Sequence, residues 1–172
     1  MQRQHQTLTM GVLAALCVFA LFFGMRAVTA PVPDQSLVAD PEPACETRQI
    51  SAGTKVGPQE VTVSVYNASG RAGMASKTMQ ELIERGFAPG NSGNVKAPEV
   101  AFVQVWTDSK DNPAAELVAK QFGPATKIVT DKTLPGIGVV VVIGPKIQPM
   151  PKDAPASVTA QSAASFCSPP VT

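Results

Sequence analysis

The sequence predicts a small α/β domain, an α+β sandwich of about four strands and two helices, preceded by one transmembrane helix. Three observations lead there. Residues 6–25 form a run of twenty without charge. Eleven of the sixteen prolines fall in two flanks that bracket a body at residues 60–144. Within that body, period-two and helical apolar patterns alternate in the order β-α-β-α-β-β.

As a helix at about 1.5 Å per residue, the first segment spans about 30 Å, the thickness of a bilayer's hydrocarbon core. Arg3 lies before it and Arg26 after it, so the charge bias on orientation is slight. A cleaved signal peptide is the rival reading, since Val28-Thr29-Ala30 would suit a peptidase. Pro31 follows at once, however, and Leu16 stands before Cys17 where a lipoprotein needs a small residue. Residues 1–30 are therefore read as an uncleaved signal-anchor, with the remaining chain outside the cytoplasm. Residues 31–59 carry Pro31, Pro33, Pro41, Pro43 and Pro58 and are read as a linker. A tail at 147–172 is rich in Pro, Ala and Ser. Such composition favours extended, semi-rigid chain.

Across residues 60–67, Val61, Val63 and Val65 alternate with Thr62, Ser64 and Tyr66, a strand with one apolar face. A turn of small residues follows. Residues 74–85 place Ala75, Met79, Leu82 and Ile83 on one helical face. Gly86 ends that helix as a left-handed cap, and Phe87 folds back on Leu82. Residues 89–98 are expected to be a loop. Residues 100–106 are dense in β-formers, a strand buried on much of both faces. Asn112-Pro113 opens a second helix, an N-cap followed by proline at the first helical position. That helix turns Ala115, Val118 and Phe122 inward and stops at Gly123-Pro124. Residues 127–130 form a short strand. The apolar run at 138–143 is a central strand.

Composition excludes several classes of function. The chain carries 14 Lys+Arg against 13 Asp+Glu, with no basic surplus for nucleic acid. Its one histidine is His5, which leaves none in the body for a Ser-His-Asp triad or a His-metal site. No cofactor or metal is expected. Cys45 and Cys167 stand alone in opposite flanks, and in an exported domain such a pair reads as a disulfide. In the chain-entropy model, closing a loop of that length stabilises by roughly 4–5 kcal/mol. Two free thiols are the alternative.

The most informative stretch is residues 67–73, Asn-Ala-Ser-Gly-Arg-Ala-Gly, which joins a strand to a helix start. It has the look of a loosened phosphate loop, because helix N-termini attract anions. A dinucleotide fails here: Ala68 stands at the first glycine position, no ribose-binding acid follows, and no Walker lysine is present. The plain reading is that Ser69 caps the helix and the glycines allow a tight corner. The functional reading is a ligand or partner surface made of Asn67, Ser69, Gly70, Arg71 and Gly73. Trp106, the one tryptophan, precedes the polar turn of Asp108, Lys110 and Asp111 and could stack on a sugar ring. A core position is its plain alternative. Glu81 and Glu84 share a solvated helix face with Lys77 and Arg85. Asn67-Ala68-Ser69 is a glycosylation sequon, which matters only in a eukaryotic secretory pathway.

The pattern Val61-x-Val63-x-Val65-x-Asn67-Ala68-Ser69-Gly70-x-x-Gly73-x-Ala75, followed by Gly86-Phe87, resembles the LytR C-terminal domain family. That family shows an alternating strand, Asn-Gly-[Ser/Thr]-Gly-x-x-Gly-x-Ala, a helix and Gly-Phe. Ala68 replaces the commoner glycine. The run ending in Gly144 fits the family's last strand, so the resemblant domain spans residues 60–146. In LytR-CpsA-Psr proteins this domain follows a large catalytic domain that transfers glycopolymers from lipid carriers to peptidoglycan. The body here has no room for one. The layout resembles the stand-alone, membrane-anchored envelope proteins of actinobacteria. The resemblance implies a non-catalytic accessory role in cell-wall and envelope integrity. The implied partners are cell-wall glycopolymer, peptidoglycan or LytR-CpsA-Psr-type ligases. No active site carries over. The alternatives are a structural assembly subunit or spacer, or a small lipid-carrier-binding envelope enzyme.

Overall fold

The computed structural model describes residues 45–170. The signal-anchor assigned to residues 1–30 lies outside the described residues, as does the linker up to residue 44. Among the described residues, no helix is long and apolar enough to cross a membrane.

The elements run β1 (Glu46–Ile50), β2 (Lys55–Val56), a 3-10 turn (Pro58–Glu60), β3 (Thr62–Asn67), α1 (Met74–Glu84), β4 (Ala88–Asn94) and β5 (Val103–Trp106). They continue with α2 (Pro113–Gln121), β6 (Lys127–Val129), β7 (Val139–Ile143), β8 (Val158–Thr159) and β9 (Ala164–Ser168). Five strands form the main sheet in the order β4-β3-β7-β5-β6. β3 runs parallel to β4 and β7, β5 runs parallel to β6, and β5 and β7 are antiparallel.

β7 explains its own sequence. Val139, Val141 and Ile143 join the core cluster that contains both helices, while Val140 and Val142 pack on the opposite face against Ala97, Val100 and Trp106. All five are buried, and each contributes about 1.5–3 kcal/mol of transfer free energy. An uninterrupted apolar run is what a strand covered on both sides requires. α1 buries Ala75, Met79 and Leu82. It ends in a full Schellman motif: Gly86, at φ 91°, donates its N–H to Ile83 O at 2.8 Å, and Phe87 N donates to Leu82 O at 3.1 Å. At α2, Asn112 Oδ1 accepts from the amides of Ala114 and Ala115 at 3.0 and 3.3 Å, and Pro113 sits in the first turn.

Four of the departures from the sequence reading concern the elements of the body. The body is β-α-β-β-α-β-β, because residues 88–94, expected to be mostly loop, form β4 on the edge beside β3. Its Ala-Pro-Gly-Asn-Ser-Gly-Asn carries no β-propensity. The pairing is tertiary, and it requires missing side chains. A Cβ at Gly90 would meet Ser64 Oγ at 2.6 Å. Ser64 Oγ instead accepts from Asn91 N at 3.0 Å and donates to Ile137 O at 2.7 Å. Secondly, β3 is buried on its polar face as well, with Thr62 and Ser64 fully covered. Thirdly, strand β5 begins only at Val103, and Phe102 is exposed. Val100 still buries, under the close crossing of Gly144. Fourthly, Ile83 points outward at 39% exposure, and Thr78 takes a buried position on α1 instead.

The described parts of the flanks, residues 45–59 and 145–170, are folded rather than free spacers. β1 pairs antiparallel with β9, from Glu46↔Ser168 to Ile50↔Ala164, and β2 pairs with β8. Val56, Val158 and Phe166 from these strands enter the core cluster that holds α2. Cys45 and Cys167 form the expected disulfide, with Cα atoms 5.4 Å apart. Two latches reinforce the closure. Arg85 donates to Gln121 Oε1 at 2.9 Å and to Pro151 O at 2.7 Å, and Gln121 Nε2 donates to Pro155 O at 3.0 Å. Arg85 is thus committed to these partners rather than to the acids of α1.

Candidate functional site

The strand-helix corner at residues 67–73 is organised by one buried side chain. Asn67, 5% exposed, ends β3. Its Oδ1 accepts from Ser69 N at 2.9 Å and from Ser69 Oγ at 2.6 Å. Its Nδ2 donates to Arg71 O at 2.8 Å and to Asn94 Oδ1 at 3.2 Å. Both ends of the amide are therefore used, and the loop folds around them. Ser69 Oγ in turn accepts from Arg71 N at 3.2 Å.

Ser69 does not cap α1, contrary to the expectation. The N-cap is Gly73, in the left-handed region at φ 76°, with no side-chain cap. Ser69 is held two residues from Asn67, where it closes the turn instead. Gly70 lies at φ 72°, and a Cβ at either Gly70 or Gly73 would meet nothing within 4 Å. The requirement at both positions is backbone conformation, not space.

The corner forms one wall of an open groove of about 670 Å³. Asn67, Gly70, Arg71 and Ala72 line one side, and Asn94, Lys96 and Pro98 the other. Val95 N donates to Asn67 O at 3.1 Å and ties the two walls together. The lining holds two cations, Arg71 and Lys96, and no carboxylate. Arg71 Nη2 donates to Pro145 O at 3.2 Å, which positions the guanidinium without neutralising it. Neither cation makes an ion pair among the described residues; the pairs there join Arg48 to Glu60, Lys120 to Glu116 and Lys132 to Glu99.

Of the residues singled out from sequence, Asn67, Gly70 and Arg71 meet at this groove. Ser69 and Gly73 shape the corner behind it. Trp106 does not join them. It is 5% exposed and packs on the second face of the sheet, with Nε1 donating to Gln104 Oε1 at 3.0 Å and Lys132 Nζ 5.8 Å from the ring centroid. A ring buried in this way has no open face for a sugar. Lys132 also donates to Glu99 Oε1 at 2.8 Å. That bond holds the Glu99 carboxyl below its usual range and raises the Lys132 ammonium above its own.

The second wall, residues 94–98, escaped the sequence reading. Its only signal was the spacing of Gly90 and Gly93 ahead of a lone lysine, which is too common to mark a site. No cluster of His, Cys, Asp and Glu fit to hold a metal occurs among the described residues.

No curated protein matches this chain. Among solved structures, the chain is similar to the soluble domain of a conserved hypothetical secreted protein from Mycobacterium marinum, at 21% identity. That match covers 59% of this chain and 78% of the other, with a TM-score of 0.46. The profile of the family described as LytR cell envelope-related transcriptional attenuator matches residues 60–146, which begins beside β3 and ends just past β7. With half of its length matched, and with Asn67, Gly70 and Gly73 placed at the family's strand-helix corner, the chain belongs to the LytR C-terminal domain family.

Proposed function

We propose that the protein is a non-catalytic, membrane-anchored, extracytoplasmic module that supports cell-wall and envelope integrity. It binds cell-wall glycopolymer or peptidoglycan, or the LytR-CpsA-Psr-type ligases that handle them, at the 67–73 corner. The observation that carries this reading is the groove: two cations without an ion pair among the described residues, no acid in its lining, and walls fixed by Asn67. Wall polymers bear carboxylates and phosphates, the groups that such cations attract. The family assignment supports a role in the envelope. The disulfide supports an oxidising compartment outside the cytoplasm.

The test is retention on purified cell wall. Replacing Arg71 and Lys96 together by Ala should lower retention. Each change should shift stability by no more than about 0.5 kcal/mol, because neither side chain is needed for packing. Unchanged retention, on wall and on ligase alike, would leave a structural spacer as the better reading.

A further inference from the structure

The two edges of the main sheet are built differently. β6 is three residues long and begins with Lys127, a short and charged edge of the kind that resists pairing. β4 is seven residues long and carries no charge. Pro89 and a register shift between its pairings to Val63 and Val65 blunt its first half. The second half pairs regularly with β3 from Ser92 to Asn94 and is mostly exposed. Asn91 N turns inward to Ser64 Oγ and Val95 N turns inward to Asn67 O. By strand alternation, the amides of Ser92 and Asn94 then face away from the sheet, with no sixth strand among the described residues to take them. This open edge runs directly into the groove, because Asn94 is both the last residue of β4 and part of the groove wall.

We infer that β4 accepts an extended segment of a partner protein as a sixth strand, and that a carboxylate on that segment enters the groove between Arg71 and Lys96. Main-chain hydrogen bonds from Ser92 and Asn94 supply the pairing. The two cations, without any acid in the lining, supply the charge that selects the partner and sets its register. The exposed half of this edge, Asn91 to Asn94, carries no charge to repel the incoming strand. The inference rests on the reading of the corner as a contact surface. It names a protein strand rather than a polymer as what is held beside it.

The test uses the immobilised full-length chain and a random heptapeptide library displayed on phage. Selection should enrich alternating β-branched sequences with an Asp or Glu near one end. Ser92→Pro removes an outward amide at a position where an edge strand tolerates proline. It should weaken the selected peptides about fivefold or more, the effect of losing one main-chain bond, while the thermal midpoint stays near that of the wild type. Ser92→Lys, which adds a charge to the exposed edge, is the second variant should the proline disturb folding. Lys96→Glu should reverse the preference for acid. No enrichment over the Ser92→Pro chain would overturn the inference. So would a shift of the free chain from dimer to monomer on Ser92→Pro, since the edge would then serve a second copy. The two readings fail separately: wall retention lost in the Arg71/Lys96 variant but intact in Ser92→Pro, with no peptide selected, upholds polymer binding alone.

Discussion

Two asparagines sit at the two strand-helix corners of this domain and do opposite work. Asn112 binds forward: its Oδ1 takes the first free amides of α2, and its Nδ2 donates to Thr107 Oγ1 at 3.0 Å. Thr107 and Asn112 are themselves buried there, and Pro113 finishes the helix start. Asn67 binds within its own turn and across to β4, and leaves the start of α1 to a left-handed glycine without a side-chain cap. The corner it makes is open and lines the groove. A capped helix start spends its polar groups on the helix. An uncapped one leaves a shaped, charged surface beside it.

The contrast can be broken most severely at Asn67. Asn67→Ala removes four hydrogen bonds from a buried side chain and should cost about 3 kcal/mol, read as a fall in the denaturant midpoint. It should also loosen the groove, because the tie to Asn94 goes with it. A loss no larger than that of Asn112→Ala would mean the turn holds without its organiser. Gly73→Val comes next, at about 2 kcal/mol. A β-branched residue at φ 76° is strained although nothing crowds its Cβ. Gly73→Asn should recover much of that loss, since asparagine tolerates the left-handed region. If Val and Asn cost the same, backbone conformation is not what the glycine supplies.

Asn112→Ala should cost about 1–2 kcal/mol, the usual range for a lost N-cap, and should leave wall retention and peptide selection unchanged. Loss of binding there would erase the distinction between the two corners. The smallest effect belongs to the Glu99–Lys132 pair, which lies over Trp106 at the end of β5. The lowered Glu99 pKa means that its contribution is present above the unfolded value and fades as pH falls through the folded one. Glu99→Gln should therefore slightly narrow the gap in thermal midpoint between neutral and acid solution, and added salt should shrink the effect further. An identical gap in variant and wild type would show that the exposed pair contributes nothing.

What the sequence determined by itself was whatever local rules govern. The alternation of Val61, Val63 and Val65 set β3, and the glycine-phenylalanine ending set the close of α1. Asn112-Pro113 set the start of α2, and five consecutive apolar residues set β7 as a central strand. The cysteine pair was legible because two isolated cysteines in exported flanks leave few other roles. Tertiary structure decided the rest. β4 has no propensity for its conformation, and exists because β3 offers it a parallel ladder and Gly90 leaves room for Ser64. The flanks carry scattered apolar residues, Ile50, Val56, Ile147, Met150, Val158 and Phe166 among them, too irregularly spaced for any period to reveal. They fold because α2 is apolar nearly all round and needs cover on its outer side. The groove follows from both. Asn67 and Arg71 could be suspected from the motif, but Asn94 and Lys96 reach them only through a strand pairing across more than twenty residues, which no local pattern encodes.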